Sequence, residues 1–359
     1  MPPYTARQQR DSTGQSRLDR DQNPTDGGAA RNSTVAPIHG RTPGSRCSSL
    51  PVSTGGAADP AAPPLPSPVL SANPPLFDLQ SHSVHSDGAL SPREVVAGGA
   101  AAGVELLALS DHDTVAGVEE AIRAASEYGI RVVSAVEISS VDPRGQDLHI
   151  LGYGVDHHDP AFQGRLQGYR ADRDRRAWAM VDALRELGFA LDDEGLRRRE
   201  AEDKSIGRPH IAEAVVTHPG NAVRLANQGR TEMSSFLKGY LIEGKPAFRP
   251  REGPTVAEAI ESIHEAGGLA IWAHPFWDVP GSADVLETID RFRTFGIDGI
   301  EGFYVTHTRI QTNLLVDRCA ELGVLCTGSS DFHGPHHRAF NRFRAFSTFG
   351  REPTLGPIE

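Results

Sequence analysis

The sequence predicts an α/β fold built on a parallel sheet, with its working residues at the carboxyl ends of the strands. Three observations predict it. From Leu76 onward, short apolar runs alternate with segments of helical length, the rhythm of successive βαβ units. Ligand-type residues follow the apolar runs directly: Asp78-Leu-Gln80-Ser-His82-Ser-Val-His85-Ser-Asp87-Gly88 after Leu76-Phe77, Ser110-Asp111-His112-Asp113-Thr114 after Val104 to Leu109, and Glu137-Ile-Ser139 after Ile130 to Val136. The helix punctuation agrees. Ser91-Pro92-Arg-Glu94 reads as an N-cap, a first helical proline and a capping-box partner, and Gly129 closes the next helix.

In order, a helix opens at Pro92 and ends near Gly103, followed by strand Val104 to Leu109, helix Thr114 to Tyr128, and strand Arg131 to Val136. Asp147 to Tyr153 is a further short strand with His149 inside an apolar run. From about 160 to 245 the character changes to charged helices, such as Gly168 to Leu187 and Gly195 to Glu202, which reads as an inserted helical subdomain. The βα rhythm then resumes with helix Thr255 to Ala266, strand Leu269 to Trp272, a helix around Asp284 to Phe295, strand Gly299 to Tyr304, helix Thr308 to Leu322, and strand Val324 to Thr327. His274 follows the first of these strands, and Asp331 and His333 follow the last. All these groups are expected just beyond strand ends, where α/β barrels place active sites.

Residues 1–70 are rich in Pro, Gly, Ser, Thr and Asn and lack a periodic apolar segment, so they read as a disordered extension, even an over-long start with initiation near Val69. The chain holds 36 basic and 47 acidic residues; 7 and 5 of them lie in that tail, leaving 29 against 42 in the body. Such an acidic body disfavours stable binding of duplex DNA, whose affinity rests on neutralising phosphates with Lys and Arg. A small phosphorylated substrate stays compatible, because bound cations reverse the local field. Cys47, Cys319 and Cys326 form no CxxC pair and fit a reducing cytoplasm, and no apolar run is long enough to cross a membrane.

Eight residues of ligand type, His82, Asp87, His112, Glu137, His149, His274, Asp331 and His333, exceed the needs of one tetrahedral site, so two or three divalent ions are expected, of Mn, Zn or Fe, with Mg as a further candidate. Closely spaced ions suit phosphoryl chemistry.

With Asp87-Gly88, Ser110 to Thr114, Val136 to Ser139, His149 to Tyr153, Gly207-Arg-Pro-His210, Gly244-Lys-Pro-Ala247, Ala273-His-Pro275 and Ser330-Asp-Phe-His333 in this order, the sequence resembles the PHP (polymerase and histidinol phosphatase) superfamily. The likeness is to its bacterial branch of nucleoside 3′,5′-bisphosphate phosphatases and 5′-to-3′ exoribonucleases. The resemblance implies a distorted (β/α)7 barrel over residues 76–359 with the helical insertion at about 160–245. It implies a phosphoesterase using a metal-bound hydroxide, with Glu137 bridging two ions, His82 and Asp331 on one, His149 and His274 on the other, and Asp87, His112 and His333 forming a third site. One position departs from the family pattern: Gln80 stands where a His-x-His pair usually begins. An amide oxygen does not match imidazole toward zinc, so the first site is expected to be weaker or altered in metal preference. His85 is a poor substitute, since it need not converge with His82.

Arg208, His210, Lys245 and Arg249 are expected to close over the distal phosphate of a nucleotide or short RNA end. His307 is a candidate phosphate contact or general acid. The run Arg197 to Arg199 reads as a solvated helix face, and His157, His158, His218, His336 and His337 have no support beyond composition. Trp272, Phe276 and Trp277 bracket His274 and suit either core packing or base stacking. The alternatives are a 5′-to-3′ exoribonuclease on longer strands, a histidinol phosphatase, and a non-catalytic metal-binding domain.

Overall fold

The computed structural model describes residues 75–359 except 203 and 205; the expected disordered tail lies outside the described residues. Among these, seven strands lie side by side in chain order: β1 (Phe77–Asp78), β2 (Leu106–Leu109), β3 (Arg131–Val141), β4 (Asp147–Tyr153), β5 (Leu269–Trp272), β6 (Gly299–Tyr304) and β7 (Leu325–Ser329). The sheet curls until its ends meet. Leu79 N donates to Gly328 O at 3.2 Å, and Ser81 bridges Phe332 in parallel. The result is the distorted barrel that the family resemblance implies.

Helices α1 (Pro92–Ala101) and α2 (Val118–Tyr128) make the first two crossovers, so β1, β2 and β3 are parallel. The Ser91/Glu94 capping box forms as expected, and Gly129 ends α2 in the left-handed region at φ 69°. Between β3 and β4 the chain has only a tight turn, Gly145 N donating to Asp142 O at 2.8 Å, too short for a crossover helix. β4 therefore runs antiparallel to both β3 and β5, and its first residues, His149 among them, lie at the mouth. This corrects the expectation that each ligand-type residue lies beyond a strand's carboxyl end.

Five helices follow β4: α3 (Pro160–Glu186), α4 (Glu194–Ala201), α5 (Arg208–Val216), α6 (Ala222–Asn227) and α7 (Met233–Tyr240). They close their own apolar cluster, which includes Val181, Leu184, Phe189, Ile211, Phe236 and Tyr240. α3 begins eight residues before the predicted Gly168, because Asp159 caps it and Phe162 and Leu166 pack into the barrel core, outweighing the weak propensity of Gly164 and Gly168. Helices α8 (Val256–Glu265), α9 (Pro275–Asp278), α10 (Ser282–Arg293) and α11 (Arg309–Leu322) complete the barrel wall. Ile138, Ile150, Trp272, Ile300 and Phe303 are fully buried in its core. No helix among the described residues is long and apolar enough to cross a membrane.

Candidate metal centre

The strands deliver the ligand-type side chains to one end of the barrel. Beyond β2, His112 forms an isolated parallel bridge with Glu137, which places the two side by side. Glu137 is not at the end of its strand, as the sequence suggested, because β3 continues to Val141 to pair with β4; there Ser139 is the partner of His149. Asp113, His274 and Asp331 take left-handed backbone at φ 54°, 32° and 53°. Such non-glycine strain persists only where the surroundings enforce it, and it concentrates at functional sites. Gly88 shows the same crowding: a Cβ there would stand 2.2 Å from the carbonyl oxygen of His82.

Glu137 is the hub. Its Oε1 lies 2.6 Å from His149 Nδ1 and 3.1 Å from His274 Nε2; its Oε2 lies 3.1 Å from His82 Nε2 and 3.5 Å from His112 Nδ1. His82 Nε2 is also 3.1 Å from Asp331 Oδ1. On the other flank Asp87 stands 3.7 Å from both His82 and His112 and 3.4 Å from His333. Three overlapping groups have ligand atoms within 4.8 Å of one another: His82, Asp87, His112 and His333; His112, Glu137 and His149; and His82, Glu137 and Asp331. His274 meets them through Glu137. His85 belongs to none of these groups.

The donor set fits divalent cations. His82 Nε2, His112 Nδ1, His149 Nδ1, His274 Nδ1, Asp87 Oδ1 and Asp331 Oδ1 are buried and make no well-formed hydrogen bond despite their charged neighbours, an arrangement that native interiors rarely leave unanswered. The protonation states divide: against the effect of burial, the neighbouring carboxylates raise the His82, His274 and His333 imidazoles, so an entering cation would displace protons there, whereas other groups are already in the ligating form. Burial drives the His112 imidazole down to about 3, leaving a neutral nitrogen. Burial raises Asp331, yet His333 and His82 hold it at about 2, and the same opposition keeps Glu137 and Asp87 well below the usual carboxylate range.

A layer of polar residues fixes these groups. Asp111 accepts from Ser83 N, Ser83 Oγ and Ser86 Oγ at 2.7, 2.6 and 2.6 Å, which holds the loop bearing Asp87. Tyr304 donates its hydroxyl to Asp331 Oδ2 at 2.7 Å. Glu301, missed in the sequence, accepts from His274 N at 2.8 Å and pins its left-handed turn; burial pushes its carboxyl up to about 8. A glutamate inside the apolar run Gly299 to Tyr304 was the available signal. Gln80 points inward, but its amide nitrogen donates to Glu137 Oε2 at 2.8 Å while Ser329 Oγ donates to its oxygen at 3.3 Å. In this arrangement Gln80 steadies the hub.

Beside His149 a small cavity of about 40 Å³ is lined by Arg173, Arg176, Arg208 and Arg251. Arg173 and Arg251 flank Asp113 at 3.2 and 3.4 Å; Arg176 and Arg208 flank Asp147 at 3.0 and 3.4 Å. Four guanidinium groups against two carboxylates leave a local charge of +2. Of the substrate residues read from the sequence, only Arg208 lines this cavity. Lys245 is exposed and lines none of the described cavities. Arg249 turns to the carbonyls of Pro246 and Phe248, because its own carbonyl is held by Arg176 Nε at 2.7 Å. His210 lines a neighbouring cleft; its Nδ1 accepts from Gly207 N at 2.9 Å, so the neutral ring carries its proton on Nε2. His307 is buried with its ring perpendicular to Phe276, and burial lowers it to about 4, so it is a neutral imidazole at pH 7 and poorly suited to be a general acid. Arg173, Arg176 and Arg251 escaped the sequence reading because they sit in charged segments without a motif. The signal was the spacing of Arg173, Arg176, Ala177 and Met180, one face of α3.

Comparison with known proteins agrees with this architecture. Residues 78–198 match the PHP domain model. The chain is 37% identical to a 5′-3′ exoribonuclease of Haemophilus influenzae over 72% of this chain and 90% of that protein. It is 33% identical to a 3′,5′-nucleoside bisphosphate phosphatase of Chromobacterium violaceum over 72% of this chain and 87% of that one. A solved structure from Bifidobacterium adolescentis, described as a candidate metal-dependent phosphoesterase, superposes with a TM-score of 0.62 at 28% identity, covering 78% of this chain and all of that one. The chain therefore belongs to the PHP domain family and is a hydrolase of phosphate esters.

Proposed function

We propose that the chain hydrolyses a phosphate ester of a nucleotide or short RNA end that carries a second phosphate, in the manner of a nucleoside 3′,5′-bisphosphate phosphatase. The observation that carries this reading is the arginine cavity beside His149. By volume it holds a few water-sized positions, enough for a phosphate group but not a base, and its charge of +2 matches a phosphate dianion. The names of the two relatives support the same substrate class.

We assign two or three divalent ions, Mn, Zn, Fe or Mg, to the eight residues gathered around Glu137 and Asp87. Glu137 would serve two of these ions, with His82 and Asp331 holding one and His149 and His274 the other, and Asp87, His112 and His333 would hold a third. Such ions supply Lewis acidity toward a phosphoryl oxygen and lower the pKa of a coordinated water. The rest falls to the chain's own groups. Arg173, Arg176, Arg208 and Arg251 grip the second phosphate and so orient the ester over the centre. His210 donates from Nε2, Gln80 and Tyr304 hold Glu137 and Asp331, and Trp277, half exposed beside Phe340, offers a face for a base. Gln80 in place of a nitrogen ligand favours a harder ion at the first position. The buried free thiols of Cys319 and Cys326 support a reducing, cytoplasmic setting, and the acidic body disfavours a duplex DNA partner.

A second reading, exoribonuclease action on longer strands, is favoured by the name of the Haemophilus influenzae relative; the cleft of about 840 Å³ that holds Arg198, Arg199 and His210 also carries Asp192, Glu194 and Glu213. Phosphate release from adenosine 3′,5′-bisphosphate with Mn²⁺, compared with short 5′-phosphorylated RNA and histidinol phosphate, tests the proposal. Preferential release from the bisphosphate supports it. Stepwise shortening of RNA with no release from the bisphosphate establishes the second reading, preference for histidinol phosphate replaces both, and metal-loaded protein inert toward all three leaves a non-catalytic domain.

A further inference from the structure

Away from the Glu137 cluster, at the junction where the barrel leads into α3, two imidazoles and a carboxylate meet. Glu119, in the first turn of α2, presents Oε2 to His157 Nε2 at 3.3 Å and to His158 Nε2 at 3.6 Å, and the three ligand atoms lie within 4.8 Å of one another. We propose that Glu119, His157 and His158 form a separate divalent-cation site of the zinc class, which clips the loop entering α3 to α2.

The spacing accommodates a shared cation as well as the direct hydrogen bond between His157 Nε2 and Glu119 Oε2 at 3.3 Å. At metal–ligand lengths of about 2.1 Å, two ligand atoms of a tetrahedral ion stand about 3.4 Å apart, which matches both separations. The His158 contact at 3.6 Å is longer than a hydrogen bond, so direct pairing leaves that imidazole unanswered where a cation would engage it. One carboxylate oxygen faces both imidazoles, while its companion Oε1 turns to Arg123 at 3.9 Å. The imidazoles also project from a pinned turn. Gln163 Nε2 donates to His157 O at 2.7 Å, His158 N to Asp156 Oδ1 at 2.9 Å, and Asp156 N to Ala266 O at 2.8 Å. Holding the backbone this way removes part of the ordering cost of ligation. Beside the three groups opens a cleft of about 300 Å³, which also takes in Thr114, Val115 and Arg170, with room for water to complete the coordination. Two imidazoles and one carboxylate as ligands suit Zn²⁺ or Co²⁺ over Mg²⁺. Neither histidine carried any functional signal in the sequence; the return of β4 alongside β3 leads the chain to where they stand opposite Glu119.

The test uses the full chain, stripped with chelator and dialysed to equilibrium against buffered Zn²⁺ or Co²⁺, with Glu119→Gln and His158→Asn as separate variants. The His158 side chain is 69% exposed and that of Glu119 46%, so far-UV circular dichroism is expected to be unchanged. Wild type is expected to bind one metal equivalent more than either variant. The Co²⁺ visible absorption is expected to lose one component, and phosphoesterase activity to stay level. Equal metal content in wild type and variants overturns the proposal. Loss of more than one equivalent together with activity also overturns it, because the three residues would then act through the Glu137 cluster.

Discussion

Arg208→Ala isolates the grip on the second phosphate. Its guanidinium lies 3.4 Å from Asp147, and its side chain is 37% exposed. Removing it leaves Asp147 paired with Arg176 at 3.0 Å and Asp113 paired with Arg173 and Arg251, so no buried charge is stranded. A hydrogen bond to a charged group contributes about 1.5–3 kcal/mol. Partial exposure and sharing with Asp147 place Arg208 at the lower end, about 1.5 kcal/mol, or roughly tenfold in affinity. The contact is remote from the reacting phosphorus and equally present in ground and transition states, so it acts on KM and leaves kcat nearly unchanged. In steady-state assays with Mn²⁺, KM for adenosine 3′,5′-bisphosphate is expected to rise about tenfold, while p-nitrophenyl phosphate, which lacks a second phosphate, changes by less than about twofold. Equal losses on both substrates, or an unaltered KM for the bisphosphate, would refute the assignment of the arginine cavity.

Glu137→Gln leaves the imidazoles facing an amide, and we expect elemental analysis to show at least one ion lost, with activity down by more than the roughly 100-fold typical of outer-shell changes. Asp111→Ala frees Ser83 and Ser86, and metal affinity at the Asp87 side is expected to fall about 10–100-fold in chelator competition; unchanged affinity would show that the loop needs no anchor. Gly88→Ala forces a Cβ against the His82 carbonyl, which is expected to cost about 1–3 kcal/mol in urea unfolding. Burial raises buried Asp78 to about 6 from its ordinary 3.8, outweighing its hydrogen bonds from Ser330 and Arg344. Folding therefore favours the protonated form: the benefit is complete below pH 4 and is lost as pH rises to about 6, roughly 3 kcal/mol in all. Asp78→Asn removes this slope. In metal-free protein its stability relative to wild type should climb by that order between pH 4 and 7, and a pH-independent difference would contradict the assignment.

Much of the centre was legible in the chain because its signals are local. A strand's end, a capping box and a cluster of His and Asp within a few residues can each be read without knowing where the rest of the chain goes. That sufficed for the α/β class, for α1 and its Ser91 cap, and for naming the eight residues that the fold gathers around Glu137 and Asp87, while the barrel itself came from the family resemblance.

What tertiary structure alone decided was convergence. The short turn at Asp142 to Gln146 reverses β4, and this reversal, not a crossover, brings His149 to Glu137 and His157 to Glu119. Arg173, Arg176 and Arg251 become one cationic cavity only because α3 lies over the barrel mouth, whereas Arg249, from the segment that carries Arg251, turns to backbone carbonyls. Charge and residue type are properties of the sequence. Which charges share a desolvated space is set by long-range packing, where distances of a few ångströms decide between a ligand, a brace and a solvated side chain.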